Sequence, residues 1–338
     1  MIMKENNGIS LSVIVPCYNV ERYLELSLRC LERQWNGRND YEIILVNDAS
    51  TDNTLEKLIG FQQRYPDNVI VINKRENEGV AAARNSGLDI AQGKWIVFFD
   101  PDDALVDGGY SQLLAITEKE EFDILSFGVS VDAEGVISEV PVRIDINVDW
   151  RGTSQDYLMN QLFGTSLSFF YKRSILNDRR FPIVVVNEDL LFVVPVFLGN
   201  HVMVRTEAKV YHYIVHVNSA AFVSSDYKRM SRQCDDIIKV VETIESFKDG
   251  QPEPIRLRLL KRQQFFVHNM SNRLLVSNKN KNEINLIVHA LERLQLFPLL
   301  GNGKMTRIIN YVFTHLWILP VFRPMYRLFR RIYNKIYY

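Results

Sequence analysis

The sequence predicts an α/β fold with a mostly parallel central sheet, helices on both faces and a helical extension after it. Three observations carry this prediction. In the first hundred residues, short β-branched runs alternate with single amphipathic segments of helix length, a pattern that calls for crossovers and parallel pairing. The runs are almost continuously apolar, as strands covered on both faces are. From about residue 225 strand signals end and apolar residues recur at helical spacing.

"LSVIVP" opens the sheet and closes at Pro16. Residues 20 to 34 then place Tyr23, Leu24, Leu28 and Leu31 on one helical stripe. "YEIILVND" is a second buried strand, and "ASTDNTLEKLIGFQQRY" brings Ser, Thr and Asp cap chemistry to a second helix. "NVIVINK" is a third strand and "GVAAARNSGLDIAQG" a third helix, its small residues suited to close packing on the sheet. "KWIVFFD" is the fourth strand. Past Asp103 the pattern loosens. "FDILSFGVSVDAEGVI" reads as strand with a hairpin around Ala133 to Gly135, "EDLLFVVPVF" as a helix start and "HVMVRTEAKVYHYIVHV" as strand. Three helical segments follow: "RMSRQCDDIIKVVETIESF", "PIRLRLLKRQQFFVHNMSNRLL" and "NEINLIVHALERLQ". Polar residues follow each of the first four strands: Tyr18 and Asn19, Asp48, Lys74 to Asn77, and Asp100 to Asp103. Parallel strands bring these clusters to one edge, where open α/β sheets bind ligands.

The 338 residues have the composition of a globular protein, with a formal charge of zero that hides an asymmetry. Residues 301 to 338 hold seven Lys or Arg and no acid, leaving 33 basic against 40 acidic residues in the body. Cys17, Cys30 and Cys234 show no CxxC spacing and cannot all pair, so a reducing, cytoplasmic setting is expected. No secretory signal and no uninterrupted apolar stretch of about 18 residues is legible. Nothing beyond the basic tail suggests nucleic-acid binding.

The fourth strand runs into "DPDD". Carboxylates this close repel, so Asp100, Asp102 and Asp103 call for open water or a cation. Four motifs stand in order: "VIVPCYN", "LVNDASTDNT", "NEGVAAARNSG" and "FFDPDD". Together they resemble the family-2 glycosyltransferases, enzymes of the GT-A fold that use nucleotide-sugar donors. The resemblance is strong over residues 9 to 110 and continues more weakly to about 220. It implies that Pro16, Tyr18 and Asn19 line the nucleobase pocket, where the Tyr18 ring can stack on a pyrimidine. Asp48 would accept the N–H of uracil or thymine, making a UDP-sugar the expected donor; helix capping by this loop is the other use of its acids. Lys74 or Arg75 would reach the diphosphate. Arg84 and Asn85 would support the donor site, Arg84 by direct contact or by anchoring the aspartate loop. Asp100-Pro101-Asp102 fits the family's DxD signature. With Asp103 and His216 it is the expected ligand set for Mg²⁺ or Mn²⁺, Asp102 foremost and Asp100 nearer the ribose.

The resemblance also implies an acidic pair some 80 to 100 residues after DxD that deprotonates the acceptor hydroxyl. "VVVNEDLLF" offers Asp189 as base and Glu188 as its alternate; acids are favoured at a helix start in any case. "VYHYIVHVNS" resembles a later family segment that often carries arginine where histidine stands here. On a strand His212 and His216 share a face, and one would touch diphosphate or metal. The expected activity is metal-dependent inverting transfer from a nucleoside-diphosphate sugar to a saccharide or lipid-linked acceptor in cell-surface polysaccharide synthesis. The alternative is a catalytically silent nucleotide-sugar-binding subunit that recruits a partner enzyme to the membrane. A sugar-nucleotide pyrophosphorylase is disfavoured, since "VIVPCYNVERYL" has no glycine-rich basic loop. The expected organisation is a GT-A domain over 9–225 (donor half 9–103, acceptor half 104–225), a helical extension over 226–300 and a basic aromatic tail over 301–338. The tail, interrupted by Pro320 and Pro324, is expected to lie as an amphipathic helix in an anionic membrane surface, making the protein peripheral on the inner face of the plasma membrane.

Overall fold

The computed structural model describes residues 8–35, 37–136, 143–160, 165–184, 186–216, 227–301 and 303–337, with the backbone alone for 228–229 and 329–337. Two compact units divide it: Met1–Ile183 with Glu188–Phe222, and Val184–Asn187 with Val223–Tyr338. The boundary expected near residue 225 falls on 217–226, outside the described residues.

The first unit begins β1 (Leu11–Cys17), α1 (Leu24–Glu32), β2 (Tyr41–Asn47), α2 (Thr54–Arg64), β3 (Val69–Asn73), α3 (Val80–Ile90) and β4 (Trp95–Phe98). It continues β5 (Ala104–Leu105), α4 (Gly109–Lys119), β6 (Ile124–Ala133), β7 (Trp150–Thr153), α5 (Ser154–Asn160), β8 (Phe169–Lys172), α6 (Arg173–Leu176), α7 (Glu188–Phe197) and β9 (Val202–Val215). One sheet runs β3-β2-β1-β4-β8-β6-β9-β5, with β7 also on β9. β1 to β4 are mutually parallel, β8 joins β4 antiparallel, and β6 and β9 pair in parallel. This is the mixed α/β fold with a mostly parallel central sheet that the strand–helix alternation predicts. The chain after Ala133 does turn, but residues 137–142, the expected hairpin return, lie outside the described residues.

Register positions the site. Cys17 lies opposite Asn47, and Asn47 opposite Asn73, so β1, β2 and β3 end level. β1 and β2 are buried throughout. Leu11, Val13, Ile14 and Val15 each contribute roughly 1.5–3 kcal/mol by leaving water. The small residues of α3 allow close approach: a Cβ on Gly87 would sit 2.4 Å from Ile14 Cγ2. All three cysteines are buried free thiols, and burial pushes Cys30 up to about 11.

The second unit is helical: α8 (Tyr227–Asp235), α9 (Ile237–Ser246), α10 (Glu253–Val276), α11 (Lys281–Arg293), α12 (Lys304–Thr314), a 3₁₀ turn (Leu316–Ile318) and α13 (Leu319–Tyr337). α10 buries Ile255, Leu259, Phe266, Met270 and Leu274 along one stripe, and Asn280 with Glu283 forms a capping box at α11. In the tail the break comes before the prolines. The first helix ends at Thr314, and α13 runs through Pro320 and Pro324. Pro320 lies in the first turn, where no N–H partner is needed, and Pro324 leaves only one first-turn carbonyl unpaired.

Candidate active site

The polar clusters after β1, β2, β3 and β4 lie at the carboxyl edge of adjacent parallel strands. Pro16 is buried inside β1, while Tyr18 beyond it is 46% exposed. Asn19 turns the chain with φ 50 and ties the first loop to the second: its N–H donates to Ser50 Oγ, and its Oδ1 accepts from Thr51 N. The Tyr18 ring is therefore presented on a braced loop with an open aromatic face.

Asp48 is 2% exposed and already hydrogen-bonded. Oδ1 accepts from Lys74 Nζ at 2.6 Å and Glu78 N at 3.2 Å, and Oδ2 from Gly79 N at 2.7 Å. Asp48 thus serves the start of α3, whose own N-cap Gly79 has no side chain to offer; Oδ2 keeps room for a further donor. α2 is served instead by Asp52, which accepts from Thr54 N at 3.0 Å. Lys74 is committed to Asp48 and to Glu78 (2.8 Å), whereas Arg75 is exposed.

Arg84 is the hub. It projects from α3, is 2% exposed, and reaches Asp100 Oδ1 at 3.0 Å, Glu188 Oε1 at 3.3 Å and Asp189 Oδ1 at 2.8 Å. One guanidinium therefore joins the acidic turn after β4 to the acidic pair opening α7, although they lie far apart in sequence. Its plane lies over the Phe181 ring, 5.3 Å from the centroid, and Phe181 stacks on Phe192 of α7 at 4.0 Å. Asn85 does not face the edge: its amide clamps both the N–H (2.8 Å) and the carbonyl (2.9 Å) of Phe181. It holds the aromatic floor beneath Arg84.

Burial opposes the Arg84 charge, yet Asp189, Asp100 and Glu188 hold it firmly protonated. Burial, with repulsion from Asp102 and Asp189, lifts Asp100 to about 6 against the pull of Arg84. Burial and the neighbouring Asp189 lift Glu188 to about 7. Asp189 Oδ1 also accepts from Ser166 Oγ at 2.7 Å, and among the described residues nothing donates to its Oδ2. That second oxygen is a fixed acceptor, as a general base requires.

Asp100, Asp102 and Asp103 each offer a carboxylate oxygen, all within 4.8 Å of one another. They differ in what they touch. Asp102 Oδ2 meets His216 Nε2 at 2.7 Å, and the His216 ring stacks on Tyr23 at 4.7 Å. Asp103 is 1% exposed and turns into the unit, accepting from Tyr211 Oη at 2.5 Å and Ile214 N at 2.8 Å; burial, with Asp102 and Asp100 beside it, lifts its carboxyl to about 9. This hard-oxygen set, with Arg84 on Asp100 and His216 on Asp102, fits Mg²⁺ or Mn²⁺. The two histidines separate: His216 lies just past β9, and His212 Nδ1 meets Ser130 Oγ (2.6 Å) and Asp132 Oδ2 (3.0 Å) on β6. Phe181 and Ser166 escape sequence reading; the sequence marks Tyr23 only as part of a helical stripe and Tyr211 only as the neighbour of His212 in the aromatic run of β9.

A sheet of this order, with an acidic turn after its fourth strand, is the GT-A architecture. The glycosyl transferase family 2 model matches residues 12–180, half of the chain, and the chain belongs to that family. The fold is that of Staphylococcus aureus TarS 1–349 in complex with UDP, with a TM-score of 0.63 at 21% identity over 97% of this chain and 92% of that one. The mannosyltransferase PcManGT from Pyrobaculum calidifontis, in complex with GDP-Man and Mn²⁺, aligns with a TM-score of 0.52 at 18% identity, over 93% of this chain and 86% of its own. Among curated relatives, the minor teichoic acid biosynthesis protein GgaB of Bacillus subtilis is 40% identical over 38% of this chain and 14% of its own length. The GalNAc(5)-diNAcBac-PP-undecaprenol beta-1,3-glucosyltransferase of Campylobacter jejuni is 30% identical over 51% of this chain and 54% of its own. The chain spans only part of these relatives.

Proposed function

We propose that the protein transfers a sugar, with inversion, from a nucleoside-diphosphate sugar of the UDP type to a hydroxyl of a saccharide or lipid-linked acceptor in cell-surface polymer synthesis. One observation carries this reading: Arg84 holds the acidic turn and the acidic pair on one guanidinium, so donor-side and acceptor-side carboxylates form one site. Asp189 Oδ2 takes the acceptor proton, the freed oxygen bonds to the anomeric carbon, and the bond to the diphosphate breaks on the opposite face, its electron pair leaving with the diphosphate. An α-linked donor then gives a β-linked product, in keeping with the "beta" in the name of the Campylobacter relative.

Asp102, with Asp100 and His216, would hold Mg²⁺ or Mn²⁺, and Asp103 would fix the turn from behind through β9. Such a cation, when bound, neutralises charge on the diphosphate. Tyr18 and Asp48 are read as base contacts and Arg75 as a diphosphate contact. Domain limits of 9–225, 226–300 and 301–338, a cytoplasmic setting and a tail on the inner membrane face complete the proposal. A silent recruiting subunit would have no need of both acid clusters on one buried arginine. Asp189→Asn tests the reading. Transfer should fall by about 10²–10⁴-fold while UDP affinity by calorimetry is unchanged; retained transfer would remove Asp189 as base.

A further inference from the structure

Charge and apolar surface both single out the second unit. From residue 226 onward the chain carries 20 Lys or Arg against 9 Asp or Glu, and from 301 onward no acid. Trp317 in the 3₁₀ turn and Val321, Met325 and Leu328 in α13 are 69, 69, 68 and 60% exposed. Their spacing puts them on one helical face. We propose that this stripe docks the second unit on an anionic lipid bilayer, lying in its surface.

The opposite face of α13 explains why the stripe points outward. Arg323 Nε donates to Leu275 O at 3.0 Å, and Arg327 donates to Val276 O at 2.9 Å and Ser277 O at 2.7 Å. These carbonyls end α10, where backbone acceptors lack helical partners and the dipole is negative. The Arg327 guanidinium also lies 4.2 Å from the Tyr227 ring centroid. Two arginines that composition would assign to lipid headgroups are thus used inside the protein. They lock the first half of α13, through Leu328, with its arginines inward and Val321, Met325 and Leu328 in water. Cations facing solvent are nearby in sequence: Lys304 and Arg307 are exposed on α12, beside exposed Ile308 and Tyr311.

An apolar stripe in a unit of large positive charge matches a bilayer that is apolar below and anionic above. A second copy fits less well, because two such units repel. A soluble polyanion would leave the stripe in water. Trp317 suits the headgroup boundary, and no helix among the described residues is long and apolar enough to cross a membrane. The inference deepens the proposal of a tail on the membrane by naming the residues that make the contact, and it does not depend on the chemistry of the active site.

The test is flotation of the full chain with vesicles of phosphatidylcholine alone and with 30% phosphatidylglycerol, alongside sedimentation velocity. Wild type should float with anionic vesicles and at least tenfold less with neutral ones. Trp317→Ser with Val321→Ser, Met325→Gln and Leu328→Gln should reduce flotation at least tenfold at an unchanged melting temperature. Lys304→Gln with Arg307→Gln should reduce it severalfold, without touching the stripe. Failure of wild type to float, or full flotation of the stripe variant, overturns the proposal. An oligomer dissolved by the stripe substitutions without vesicle binding would assign the face to a second copy. Polyphosphate binding that ignores the stripe, with no flotation, would assign the charge to a soluble polyanion.

Discussion

Replacing Arg84 by methionine keeps much of the side-chain volume and removes the buried cation that three half-buried carboxylates share. Asp100, Glu188 and Asp189 lie 3.0, 3.3 and 2.8 Å from it, and Arg84 is 2% exposed. Removing one partner of a buried ion pair costs about 3–5 kcal/mol, because the remaining charge is stranded. The carboxyls can escape by taking up protons. Asp100 at about 6 and Glu188 at about 7 already sit above their unfolded values, and losing Arg84 raises them further. An acid whose folded pKa is raised loses its stabilising contribution as pH rises, so the penalty should be larger at pH 8 than at pH 5.5. The assay is urea unfolding of wild type, Arg84→Met, Asp189→Asn and the double variant at both pH values in EDTA. Asp189→Asn alone should destabilise, since its partners Arg84 and Ser166 remain. In the Arg84→Met background the same change removes a stranded charge and should be neutral or stabilising, a coupling of about 1–3 kcal/mol. Additive costs, or a penalty independent of pH, would refute the view of Arg84 as the shared counter-charge.

Other substitutions read out separate parts of the site. Asp102→Ala should weaken UDP binding in Mn²⁺ and change it little in EDTA, measured by calorimetry; equal loss in both would remove Asp102 as the leading metal ligand. For Glu188→Gln the pH dependence is the signature. Wild type carries a folded pKa of about 7 against 4.5 unfolded, so the stability difference should move in favour of the variant from pH 4.5 to 7 and then level off, by on the order of 1–3 kcal/mol. A flat difference in urea unfolding would mean that Glu188 is not held partly neutral. Asn85→Ala strands two backbone groups of Phe181 and should cost about 1–3 kcal/mol. Because Asn85 acts through Phe181 and Arg84, a specific loss of donor affinity at full stability would contradict its assignment.

Much of this was legible because β1 to β4 are buried on both faces and alternate with single helices. Continuous apolar runs such as "IILV" in β2 need no partner information to be recognised, and parallel order then places Tyr18, Asp48, Lys74 and Asp100 on one edge. The second half resists because its strands change partners. β9 pairs with β5, β6 and β7 along its 14 residues, so no single period marks its faces. The contacts around the site were not legible for the same reason. That Asp48 serves α3 rather than α2, that Asp103 turns inward to Tyr211, and that Asn85 grips Phe181 all depend on contacts between distant segments. The tail shows the limit of composition most directly, since Arg323 and Arg327 look like membrane charges in the sequence and cap α10 in the fold.

The central claim is that the acidic turn and acidic pair form a metal-dependent donor site. The measurement that meets it most directly is a screen of purified protein for nucleotide binding and release with UDP-, GDP-, TDP- and CMP-sugars, in Mn²⁺ and in EDTA. The expected result is binding and slow release of UDP from a UDP-sugar, lost in EDTA and lost with Asp102→Ala. Absence of binding to every donor in Mn²⁺ would contradict the claim and leave the "DPDD" turn as a solvated acidic loop.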